Sequence, residues 1–240
     1  DNVIDRILAG ARLSEGDKII EVGPGIGTLT REMGKVADKV VAIEIDKTLI
    51  PILRETLGEF DNIEVVNQDI LKVDVETLVK EKLDGGPVKL VANLPYYITT
   101  PIVMKFLEED IPVTDIVVMV QKEVALKLCS EEKSPLKMMI DYVGDVQYEL
   151  NVPRHVFMPA PHVDSAVISI HKERVISQEL IDLIEASYTA KRKTLYNNLK
   201  PLYHDQTKEV LESCGIPANK RAEELNIDDY IRILERSHKL

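Results

Sequence analysis

The chain has 240 residues, 45% of them hydrophobic, no tryptophan and a formal net charge of −11, which is ample apolar material for one ordinary domain and a small appendage. Its longest apolar run, Ile116-Val117-Val118-Met119-Val120, is far too short to span a bilayer, and Asp1-Asn2-Val3-Ile4-Asp5-Arg6 lacks the pattern of a signal peptide, so the expectation is a soluble, cytoplasmic protein without a membrane partner. Cys129 and Cys214, with no Cys-x-x-Cys or paired-histidine spacing, fit a reducing compartment and argue against a structural metal.

Short β-rich runs alternate with helical patterns through the first two-thirds of the chain, the signature of a mostly parallel sheet covered by helices. The patterns predict strands at 18–22, 40–45, 63–66, 88–92, 115–120, 137–148 and 163–171, with helices at 28–37, 47–57, 75–82, 99–108 and 121–128. Only a Pro-rich stretch, 152–161, separates the last two strands, so these are expected to pair antiparallel. Beyond Lys172 helices alone are predicted, at 178–200, 206–214 and 227–236, separated by Pro201 and by Gly215-Ile216-Pro217. The expected fold class is therefore α/β, a Rossmann-like seven-stranded sheet over residues 1–172, followed by a small all-helical C-terminal domain over 173–240.

Charge is divided unevenly between these parts. Residues 1–170 carry 18 Lys and Arg against 29 Asp and Glu, whereas 171–240 carry 12 against 12. The densest basic run, Lys191-Arg192-Lys193 with Lys200 beyond it, reads either as a track for a phosphate backbone or as a solvated helix face.

The first predicted strand ends in Glu21-Val22-Gly23-Pro24-Gly25-Ile26-Gly27 and a helix opens immediately after, so glycines allow a tight turn and close approach of backbone to a nucleotide-like ligand. The sixth position counted from Gly23 is Thr28 rather than glycine, which disfavours a nicotinamide or flavin dinucleotide. The spacing here, Gly-x-Gly-x-Gly after an acid, is the usual first motif of adenosylmethionine-dependent methyltransferases. Glu44 ends the second strand and could accept from both hydroxyls of a ribose, while Asp69 after the third could accept from an adenine amino group. Either acid also reads as a helix cap, the preferred reading for Asp69 taken alone.

Asn93-Leu94-Pro95-Tyr96 follows the fourth strand, at the next position along the same edge. The N6 amine of adenine is a poor nucleophile because its lone pair is drawn into the ring. The Asn93 side-chain oxygen and the Leu94 carbonyl could accept its two hydrogens and aim that lone pair, with Pro95 stiffening the turn and Tyr96 offering a face to the base. A strand end closed by an Asn-x-Pro turn accounts for the same residues.

Together these residues resemble the KsgA-type small-subunit (16S) ribosomal RNA adenine dimethyltransferases, and the resemblance extends over nearly the whole chain. Asn93 to Ile102 is similar to the family's fourth motif, Val118 to Ala125 to the segment after its fifth strand, and Phe157-Met158-Pro159-Ala160-Pro161-His162-Val163-Asp164-Ser165 to its Phe-x-Pro-x-Pro-x-Val-x-Ser element. Lys191 to Leu199 resembles its Arg-Arg-Lys-Thr-Leu-x-Asn-Asn-Leu helix, and Gly215-Ile216-Pro217 with Lys220 to Glu223 its closing helical turn.

The resemblance implies transfer of methyl groups from S-adenosyl-L-methionine, without a metal, to N6 of two adjacent adenosines in the terminal hairpin of small-subunit rRNA. It further implies that Phe157 stacks on the flipped adenine opposite Tyr96, that Glu21, Gly23, Gly25, Gly27, Glu44, Asp69 and Asn93 hold the cofactor, and that a monomer acts on a pre-30S particle. An erythromycin-resistance type methylase acting on large-subunit rRNA is the nearest alternative, and a non-catalytic assembly or transcription factor on the same fold is another. Departures from the family pattern are the Gly-Gln-x-Phe-Leu segment expected just before Asp1, a short connection at Ser130 to Leu136, and another from His171 to Gln178.

Overall fold

The computed structural model describes residues 3–93, 96–108, 111–157 and 160–239, and the side chains of all of these except Tyr96. Seven strands form one sheet: β1 Lys18–Val22, β2 Lys39–Glu44, β3 Ile63–Asn67, β4 Val88–Asn93, β5 Val113–Gln121, β6 Gly144–Val152 and β7 Ser165–Lys172. Their spatial order is β3-β2-β1-β4-β5-β7-β6. β1 to β5 are parallel, and β7 is antiparallel to both β5 and β6. The chain reverses direction across the sheet between β1 and β4, so the ends of β1, β2, β3 and β4 open onto one edge, where ligands of open α/β sheets sit.

Both faces are covered, as near-continuous apolar strands such as Ile19, Ile20 and Val22 require. One face carries a cluster that includes Ile20, Val41, Leu90, Phe106 and Ile168. The other carries Ile19, Val40, Val91, Met33 and Val167. Four helices of the parallel half are α2 Thr28–Gly34, α3 Ile50–Leu57, α4 Val75–Lys82 and α5 Tyr96–Glu108.

Two helices before β7 depart most from the sequence expectation. The first, α1 Val3–Ala11, was not predicted; its half-buried Val3 and Ile4, with Ile7, Leu8 and Ala11, pack on the second face. Lys89 donates to the carbonyls of Ala11 (3.1 Å) and Arg12 (2.8 Å) and pairs with Asp17 at 2.8 Å, pinning the end of that helix to the sheet. Residues 137–148, expected as one strand, divide between helix and strand. After α6 Lys122–Leu128 comes α7 Pro135–Val143, and β6 then starts at Gly144. Ser134 caps α7 by accepting from the Lys137 amide at 3.2 Å, Pro135 sits at its start, and Leu136, Met139, Ile140 and Val143 bury one face at helical spacing. The apolar density of this run suits a strand, but its period is that of a helix.

After β7 come α8 Gln178–Tyr188, α9 Leu195–Tyr203, α10 Thr207–Ser213 and α11 Ile227–Ser237. The single helix expected at 178–200 is therefore two, and Pro201 lies inside α9 instead of ending it. Apolar side chains of these helices, among them Leu180, Leu199, Leu211 and Ile233, belong to the same buried cluster as the first face of the sheet. Among the described residues no helix is long and apolar enough to cross a membrane.

Candidate active site at the carboxyl edge of the sheet

The glycine turn after β1 is held from two sides. Gly23 N–H donates to the Ile43 carbonyl at 3.0 Å, and Gly27 N–H to the Pro24 carbonyl at 2.9 Å. Gly25 has φ of +60° with open space where a side chain would begin, so the position demands glycine for conformation. At Gly27 φ is +88°, a conformation that favours glycine, and a Cβ would lie 3.1 Å from Leu53 Cδ2, so that side chain would have to shift.

Glu44, at the end of β2, is buried, and its carboxylate organises this turn. Gly25 N–H donates to Oε2 at 3.3 Å and Asp46 N–H donates to Oε1 at 2.8 Å. Each oxygen keeps a second acceptor direction, which is the capacity a pair of ribose hydroxyls needs. A narrow cleft of about 50 Å³ lies alongside, lined by Gly23, Glu44, Ile45, Gln68, Asp69 and Ile98 among others. Asp69 reaches this cleft, but its Oδ1 accepts the Leu71 amide at 3.0 Å, so it also caps a short 3-10 turn, Ile70–Lys72. The cap reading of that residue is thus realised, and the residue also lines the cleft.

Glu21 is 2% exposed, and its Oε2 has no hydrogen-bond partner among the described residues. Burial pushes its carboxyl up to about 8; the neighbouring Thr30 hydroxyl opposes this and the charge of Glu44 adds to it. The geometry between Thr30 and Glu21 falls short of a hydrogen bond, for Thr30 Oγ1 is likewise without a partner. A buried acceptor lacking a donor is costly in isolation. It suits a ligand that brings N–H or O–H groups, as the amino acid and ribose portions of adenosylmethionine do.

Asn93 is the last residue of β4, exposed, and in register with Met119 of β5. Leu94 and Pro95 lie outside the described residues, as does the side chain of Tyr96, whose backbone begins α5. Phe157 follows a 3-10 turn, Arg154–Val156, and is half buried against the second-face cluster. The connection bearing it is fastened by residues to which sequence reasoning assigned no role. Asp164 accepts the Arg154 amide at 2.9 Å, its carbonyl accepts the Lys122 amide at 3.0 Å, and Arg154 Nη1 donates to the His162 carbonyl at 3.2 Å. Because Gln121 of β5 is in register with Ser165 of β7, this connection joins the sheet at the same edge as Asn93.

The basic run Lys191-Arg192-Lys193 occupies the turn between α8 and α9 and not the interior of the helix expected at 178–200, and all three side chains are exposed. The turn is built from beneath. Asn198, 7% exposed, donates to the carbonyls of Ser187 (2.6 Å) and Ala190 (3.2 Å), and Lys193 N–H donates to Ala190 at 2.9 Å. Ser187 Oγ in turn meets the hydroxyl of fully buried Tyr230 at 2.8 Å. Leu195 N–H donates to the Lys220 carbonyl at 2.6 Å, which brings Lys220 and Arg221 beside the run, a neighbourhood no local pattern revealed. Lys200 is exposed further along α9. Among the described residues no group of three or more His, Cys, Asp or Glu side chains could hold a metal ion.

Comparison with known proteins places this arrangement. The chain is 56% identical over 242 residues to the ribosomal RNA small subunit methyltransferase A of Clostridioides difficile (strain 630), covering 95% of this chain and 84% of the relative. Its fold is similar to that of a dimethyladenosine transferase from Plasmodium falciparum, with a TM-score of 0.78 at 24% identity over 99% of this chain and 95% of the other. It is also similar to the 23S rRNA methyltransferase ErmE, with a TM-score of 0.70 at 27% identity over 98% and 96%. The family described as ribosomal RNA adenine dimethylase matches residues 1–239, and the chain belongs to that family.

Proposed function

We propose that this protein transfers methyl groups from S-adenosyl-L-methionine to N6 of two adjacent adenosines in the 3′-terminal hairpin of small-subunit (16S) ribosomal RNA, giving dimethyladenosines during ribosome biogenesis. The observation that carries this reading is one ordered edge. The glycine turn closed by Glu44 lies at the end of β1, and Asn93 lies at the end of β4, the strand paired directly to β1. Donor and acceptor sites on adjacent strands supply the proximity that transfer requires.

Adenosylmethionine, when bound, supplies a sulfonium-activated methyl group. The chain supplies position. Glu44 holds the ribose, Glu21 and the turn of Gly23, Gly25 and Gly27 hold the remainder, and Asp69 accepts from the adenine. Asn93 and the Leu94 carbonyl accept the N6 hydrogens so that the lone pair faces the methyl, with Tyr96 and Phe157 on the two faces of the extruded base and Pro95 fixing the turn. No general base is assigned, because methylation acidifies the amine enough for water to take its proton.

Residues 1–172 serve as the methyl-transfer domain and 173–240 as the RNA-contacting domain, in which Lys191, Arg192, Lys193 and Lys200 neutralise phosphates. The protein acts as a cytoplasmic monomer on a pre-30S particle. Neutralising Lys191, Arg192 and Lys193 together should lower the salt slope of RNA binding by roughly two to three, at about 0.7 to 0.9 per phosphate contact. An unchanged slope would return the run to a merely solvated role.

The likeness to ErmE, at 27% identity against 56% for the small-subunit relative, leaves action on large-subunit rRNA as the disfavoured alternative. Incubating the protein with labelled adenosylmethionine and unmethylated small or large subunits, then mapping the modified base, separates the two. Label confined to the large subunit would overturn the proposal.

A further inference from the structure

We propose that Tyr97 is the stacking platform for the nucleotide adjoining the adenosine in the pocket, an inference that rests on the proposed RNA substrate. Tyr97 is 84% exposed, the most exposed of the large hydrophobic side chains among the described residues. Of the residues that follow it on α5, Ile98 is half buried and Thr99, Ile102 and Val103 are buried, while Thr100 and Pro101 on the outer side are exposed. The helix therefore docks firmly and leaves one aromatic ring in water, where a charged or small side chain would serve solubility better.

Its place decides what the ring can meet. Tyr97 stands in the first turn of α5, four residues beyond Asn93 at the end of β4. At 84% exposure the ring stands in open solvent and walls no closed pocket. The β6–β7 connection, which joins the sheet at this edge, adds two further exposed apolar side chains, Val156 and Val163, at 47% and 44%. Apolar surface thus gathers where an RNA strand would enter.

Extruding one base leaves its neighbour without a stacking partner, and an aromatic side chain replaces that partner irrespective of base identity. With two adjacent adenosines as substrates, the neighbour of whichever one is being methylated is the other. A platform beside the pocket holds the waiting base or the finished one, so a single binding event can deliver both. The contact uses the ring and not the hydroxyl.

The chain contains no tryptophan, so Tyr97→Trp creates a single indole at the proposed contact. Titrating this variant with a synthetic hairpin bearing two adjacent unpaired adenosines should quench its emission, and a hairpin abasic at the neighbouring position should not. On unmethylated small subunits, Tyr97→Ala should raise KM for RNA about tenfold, the size of one lost base stack, leave kcat for the first methyl nearly unchanged, and lower the ratio of doubly to singly modified product. Tyr97→Phe should behave as wild type. Equal quenching by intact and abasic hairpins, no quenching by either, or an unaltered KM in Tyr97→Ala, would overturn the platform while wild-type methylation still stood. Failure of the wild type to methylate small subunits at all would overturn the proposed function and this inference with it.

Discussion

The carboxyl edge of the sheet and the helical region after β7 treat buried polar groups in opposite ways. At the edge, Glu21 and Glu44 are both buried acids, and one oxygen of Glu21 is left without a donor. In the helical region Asn198, Ser187 and Tyr230 are equally buried, yet each closes hydrogen bonds within the fold, and the charges of Lys191, Arg192 and Lys193 stay in water. Unsatisfied polar groups belong where a ligand will complete them, and satisfied ones where a surface must keep its shape. Substitutions in the two regions should therefore fail differently, the first through ligand and chemistry, the second through stability and RNA contact.

The largest effect is expected at Asn93. Asn93→Ala should lower methyl transfer by about a hundredfold or more while cofactor affinity and melting temperature hold, since an exposed strand-end side chain contributes little to the core. Near-normal single-turnover rates would break the assignment. Glu44→Ala should weaken adenosylmethionine binding by about 1 to 3 kcal/mol, the worth of hydrogen bonds to a charged group, and calorimetry showing unchanged affinity would remove Glu44 from the site.

Across the comparison, Asn198→Leu strips the donor from the Ser187 and Ala190 carbonyls and should cost about 1 to 3 kcal/mol of folding stability, read by urea unfolding, with cofactor affinity intact. A variant as stable as wild type would show that the buried amide does not hold the basic turn.

A pH dependence is expected at Glu21. Its carboxyl is raised from 4.5 to about 8 in the folded chain, so the fold binds this proton more tightly than the unfolded state does. The associated stability is fully present below about pH 4.5 and is lost as pH rises through about 8. Glu21→Gln, which cannot ionise, should lack this decline, so the melting temperatures of wild type and variant should diverge progressively from about pH 4.5 to about 8 and run parallel above that. Curves parallel throughout would show that Glu21 is not held protonated.

What the sequence made legible was local. Gly23, Gly25, Gly27, Glu44 and Asn93 could be placed at successive strand ends because glycine spacing, strand period and acid position are all encoded within a few residues. The misassigned segments depended on more distant contacts or on competing signals. No glycine or proline interrupts 178–200, and the break there comes from the Asn198 side chain reaching back and from Lys220 reaching across. Residues 137–148 carry strand-like composition, although Ser134-Pro135 does announce a helix start. The neighbourhood of Lys220 and Arg221 with Lys191 is a product of folding alone.

Gly144 joins α7 to β6 without an intervening loop, at a backbone conformation of φ 168° that other residues also adopt. What is special is the room: a Cβ there would lie 1.8 Å from the His171 carbonyl oxygen on the neighbouring strand, and backbone cannot step aside as a side chain can. Under random mutagenesis selected only for folded protein, codon 144 should stay fixed while surface codons around it drift. A position remote from the chemistry would then look as invariant as the glycine turn, and mutational tolerance alone would mistake a seam of the architecture for part of the active site.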